Sequence, residues 1–151
     1  MSQIKKDKVG YGCSTAITIC VLIFILPFIL TTIINNIKLH NFAREISKLE
    51  LPSVIEKIVI KSAIGDSGGN GNYSTLRVVM LIKTELSEKE IEREIKKTWY
   101  WGINKSESSI FESRGRVQIN FKELEGLSNY EGYYFVEFID SVVSFLDWFG
   151  L

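Results

Sequence analysis

Ser14–Ile34 reads STAITICVLIFILPFILTTII, an uncharged run preceded by Lys5, Lys6 and Lys8 and followed by more than a hundred largely polar residues. At about 1.5 Å of rise per residue the run spans roughly 31 Å as a helix, close to the hydrocarbon thickness of a bilayer. Thirteen of its positions are Leu, Ile, Val or Phe, each favouring insertion by about 0.3 to 0.6 kcal/mol near a helix centre. No polar stripe at helical spacing runs through it, which argues against a buried helix of a soluble core. The sequence therefore predicts one transmembrane helix over 14–36, kinked at Pro27, whose ring removes a backbone donor.

A cleaved signal peptide begins the same way, with basic residues before an apolar stretch. Here the stretch outlasts a usual signal core, and TTIINNIKL after it offers no small-x-small cleavage site. An uncleaved signal anchor is the expectation. Cys13 precedes the apolar run, where a lipoprotein signal would place it after, and an acyl chain on Cys13 is the weaker alternative to a plain apolar residue. Lys5, Lys6 and Lys8 on one side of the run face Lys38, Arg44 and Lys48 on the other. The small positive-inside bias puts residues 1–13 in the cytoplasm as a short tail and the domain outside.

Eighteen basic residues balance eighteen acidic ones. Without a basic cluster there is no support for nucleic-acid binding or for docking on acidic lipid. Cys13 and Cys20 both belong to the anchor region, so the rest of the chain has neither a disulfide nor a thiolate metal site. The chain beyond the anchor is long enough for one small domain with its own core.

Leu39, Phe42, Ala43, Ile46 and Leu49 recur at helical spacing and predict a juxtamembrane amphipathic helix over 37–51, closed by Leu51-Pro52 because a residue before proline leaves the helical region. The small domain is expected over 52–151. IEKIVIKSA (55–63) and STLRVVMLIKT (74–84) read as the strands of a hairpin whose wide loop holds GDSGGNGN. In LSEKEIEREIKK, Ser87 is placed to cap the amide of Glu90, Glu90 to reach back to Ser87, and Leu86 to pack on Ile91, the marks of a helix start. Ile91 and Ile95 give that helix a narrow apolar face. Val117, Ile119 and Phe121 alternate with Gln118, Asn120 and Lys122, a strand with one wet face. YYFVEFID (133–140) is another strand, and Ser141–Leu151 is an apolar tail suited to a short helix or an added strand. The expected fold is α+β: one N-terminal transmembrane helix and an antiparallel sheet of about four strands with one covering helix.

GDSGG at Gly65–Gly69 is the string that surrounds the nucleophilic serine of trypsin-like proteases. A serine nucleophile needs a histidine base and an orienting carboxylate, and the one histidine, His40, lies a few residues past the apolar run. Ser67 is therefore read as a turn residue. The glycines could form an anion nest, yet the Lys and Ser/Thr of a phosphate loop are missing and a strand comes next where a helix should. Asp66, Asn70 and Asn72 are the candidate ligand-binding residues of this loop. Their oxygens could also meet Ca²⁺, although the EF-hand spacing and its closing Glu are absent, so no metal is expected. A plain turn, built from residues tolerant of positive φ, is the simplest alternative.

Trp99, Tyr100 and Trp101 come directly after the helix, and Trp148 and Phe149 close the chain. Trp and Tyr are frequent contact residues, so Trp99 and Trp101 are candidate ligand-binding residues and both groups are candidate surfaces for a protein or envelope partner. Packing at the end of a core is the competing reading. Glu88, Glu90, Glu92 and Glu94 interleave with Lys89, Arg93, Lys96 and Lys97 as a solvated helical face does. No carboxylate pair has the apolar setting that acid catalysis requires.

From LELP at Leu49 through GGNGNYSTLRVVMLIKTELSEKEIE, and again at Tyr133 and Tyr134, the chain resembles a family of small uncharacterised single-pass membrane proteins of Gram-positive bacteria with a GNGN-loop α+β domain. GDSGG directly before Asn70 departs from that pattern. The resemblance implies a bacterial surface setting and brings no activity, cofactor or catalytic residue. The expectation is a membrane-anchored, non-enzymatic binding or structural protein without cofactor. The alternatives are an accessory subunit of a membrane complex, with Thr31, Thr32 and Pro27 at helix contacts, and a tethered hydrolase using the Gly65–Asn72 loop.

Overall fold

No proline or glycine follows the apolar run before Pro52, so nothing local stops the helix at the membrane boundary. In the computed structural model, which describes residues 7–66, 74–95, 100–112 and 117–142, α1 (Asp7–Ser47) is one uninterrupted helix carrying Pro27 within it. It is long and apolar enough to cross a membrane. Asn35–Val142 forms one compact unit, and the helix up to Ile34 belongs to another.

In the latter, Ile17, Ile19, Val21, Leu22, Ile25, Phe28 and Ile33 are 46 to 65% exposed, whereas Pro27, Leu30, Thr31 and Ile34 form a half-buried line. Thr31 donates to the Pro27 carbonyl at 2.8 Å and Thr32 to that of Phe28 at 3.0 Å. These hydroxyls donate inside their own helix.

The helix ends at Ser47, four residues before the expected stop at Leu51. Its last carbonyls are closed from two directions. Lys48 and Leu49 donate backbone amides to Glu45 and Ile46, and the ammonium of Lys57 donates to the Ser47 and Leu49 carbonyls at 2.7 and 3.0 Å. A cation at the negative end of a helix stabilises it and caps orphan acceptors together.

β1 (Glu56–Asp66) and β2 (Ser74–Lys83) form the expected hairpin, but the first strand is longer than read from sequence. Gly65 pairs with Thr75 and Asp66 with Ser74, so both leave the loop and join the sheet. Gly65 is needed there because a Cβ would overlap Val117 Cγ2. Next comes α2 (Glu88–Ile95), its buried face made by Ile91 and Ile95 as expected. At its start Glu90 does reach back, accepting from the Ser87 amide at 2.9 Å. The Ser87 hydroxyl does not cap a backbone amide; it donates to the same Glu90 oxygen at 2.6 Å.

β3 (Tyr100–Lys105) and β4 (Ile110–Glu112) are strands that periodicity did not reveal. β5 (Gln118–Asn120) is the expected alternating strand, yet it pairs with β4 in a separate two-stranded sheet, not with the main one. A short 3₁₀ turn (Lys122–Leu124) leads on to β6 (Tyr133–Ser141), which inserts between β2 and β3 to give the order β1-β2-β6-β3, all antiparallel. The tail 143–151 lies outside the described residues.

Central strands must be covered on both faces. Leu76, Val78, Met80, Ile82, Val136 and Phe138 share a core with Phe42 and Ile46 of α1 and Ile91 and Ile95 of α2. Val79, Leu81 and Phe135 share the other with Phe111, Val117, Ile119, Phe121 and Leu124. The domain is thus three layers: helices, four-stranded sheet, and a small hairpin layer. Burial of both faces explains why LRVVMLI is a near-continuous apolar run and not an alternating one.

Candidate functional site

Two charges interrupt the apolar central strands, Arg77 in β2 and Glu137 in β6. Arg77 Nη1 donates to Glu137 Oε1 at 2.5 Å with the side chains 4 and 5% exposed. Burying either ion alone would cost several kcal/mol, and in a dry setting their mutual attraction offsets that cost. Arg77 lies opposite Ile139 and Glu137 opposite Val79, so the pair is diagonal across one register. A slip of one residue would turn one partner to the other face. Val117 of the hairpin layer sits over Gly65, and a Cβ at Gly65 would also lie 3.8 Å from Arg77 Nε. A guanidinium bound to a carboxylate beneath a packed layer thus favours one strand register.

β1 carries a second arrangement. Its register shifts between Lys57 and Val59, and a bulge of one residue moves every later side chain to the opposite face. Lys57 and Lys61, four apart, therefore reach opposite layers. Lys57 closes α1, while Lys61 donates to the Asn120 carbonyl at 2.7 Å, pairs with Glu123 at 3.4 Å and lies 4.9 Å from the centre of the Phe121 ring. The edge strand clasps both covers of the sheet. Sequence reading missed all four of these charged residues. A charge flanked by apolar neighbours marked Arg77 and Glu137, but no pattern marked the bulge.

The residues singled out from sequence fall in separate places. Asp66 is the last residue of β1, opposite Ser74, at one end of the sheet. Trp101 lies in β3, on the opposite edge, beside the Phe138–Glu137 rows of β6. Three strand spacings of about 4.8 Å separate those edges, roughly 14 Å, so Asp66 and Trp101 do not share a site. Ser67, Asn70, Asn72, Trp99, Trp148 and Phe149 lie outside the described residues, as do the side chains of Asp66, Tyr100 and Trp101. His40 is exposed. Among the described residues no group of three or more His, Cys, Asp or Glu is placed to hold a metal ion.

No family model, curated protein or solved structure matches this chain. The resemblance to small single-pass proteins accordingly assigns no role to any residue. What bears on function is the apolar helix, the three-layer domain and the placement of Asp66 and Trp101 on opposite edges of the sheet.

Proposed function

We propose that the protein is a single-pass, membrane-anchored binding or structural protein, non-enzymatic, with a cytoplasmic amino terminus and its α+β domain outside the cell. The observation that carries the reading is α1: its apolar run exposes large side chains around most of its circumference. Such a surface is unfavourable in water and is satisfied by lipid. Among the described residues the deeply buried charged pair, Arg77 and Glu137, is held in contacts between strands, which supports a passive role. Asp66, Asn70 and Asn72, with Trp99 and Trp101, are the candidate ligand-binding residues, and Trp99, Tyr100, Trp101 or the tail Trp148 and Phe149 the candidate contacts for a protein or envelope partner.

The test is topology in intact cells. A single cysteine replaces the exposed Ser128 (S128C) in full-length protein lacking Cys13 and Cys20, and a membrane-impermeant thiol reagent is added before and after lysis. Labelling before lysis is expected, together with an intact mass that retains the amino-terminal segment and resistance to alkaline extraction from membranes. A mass lacking the apolar run would make it a cleaved signal, and labelling only after lysis would reverse the orientation.

A further inference from the structure

We draw no further inference here: the strongest candidate, the outer edge of β1 beyond its bulge, where the Lys61 ammonium is held by Glu123 and the Asn120 carbonyl and Ile64 is exposed, carries nothing because nothing in the structure shows what covers it.

Discussion

At the scale of single residues, the Arg77–Glu137 pair is the most consequential contact in the domain, because each partner is stranded if the other is removed. Arg77→Met alone is expected to cost about 3 to 5 kcal/mol by leaving Glu137 buried and uncompensated. The double variant Arg77→Met/Glu137→Leu should recover most of that loss, since two apolar groups of similar volume need no pairing. Urea unfolding of the full chain in detergent, read across the double-mutant cycle, checks both values. Equal losses in the single and double variants would mean that the pair acts through something other than mutual neutralisation. Arg77 was visible in sequence as a charge in an apolar strand. Glu137 carries the same mark, but that the two pair, 60 residues apart, was not legible, because pairing across strands leaves no local pattern.

At the scale of elements, the start of α2 has its own pH dependence. Ser87 donates its hydroxyl and its amide to the Glu90 carboxylate, and Arg93 adds a weaker attraction, so the Glu90 pKa lies below the ordinary 4.5. A carboxylate held low contributes stability that is fully present above its unfolded pKa and is lost as pH falls through the folded one. The first turn of α2 should therefore hold at pH 5 and above, then loosen as pH drops below about 4.5. Ser87→Ala should move the Glu90 titration upward toward 4.5, measured by NMR on the side-chain carboxyl. No upward movement would show that the hydroxyl is not what holds Glu90 low. The Glu90 half of this helix start was legible because capping is local: Glu90 and the Ser87 amide it accepts from lie within four residues. The helix end at Ser47 was not, because its cap, Lys57, comes from a strand that must first be in place.

For the whole molecule, the hairpin layer is as important as the helices. Phe121 is fully buried beneath Lys61 and packs against Phe135, with ring centres 4.9 Å apart. Phe121→Ala is expected to cost about 3 to 5 kcal/mol and to shift the unfolding of the entire domain, since β2 and β6 belong to both cores. Denaturant unfolding monitored separately at a probe in the helix layer and one in the hairpin layer should show a single coincident transition. Two transitions would mean that the hairpin layer is an independent cover.

Periodicity and composition by themselves determined the apolar helix, the β1–β2 hairpin, α2 with its narrow apolar face, a strand within 117–122, another over 133–140 and the α+β class. Each depends on residues close in the chain, where spacing records which side of an element meets an apolar neighbour. Tertiary structure alone decided that α1 runs unbroken to Ser47, that 100–105 and 110–112 are strands, that β5 leaves the main sheet and that β6 enters its centre. It also carried Gly65 and Asp66 out of the loop, separated Asp66 from Trp101 and turned Lys57 and Lys61 to opposite faces. Strand partners, the bulge and the second covering layer all depend on residues distant in sequence. Their energies appear only when long-range pairing closes both faces of the sheet at once.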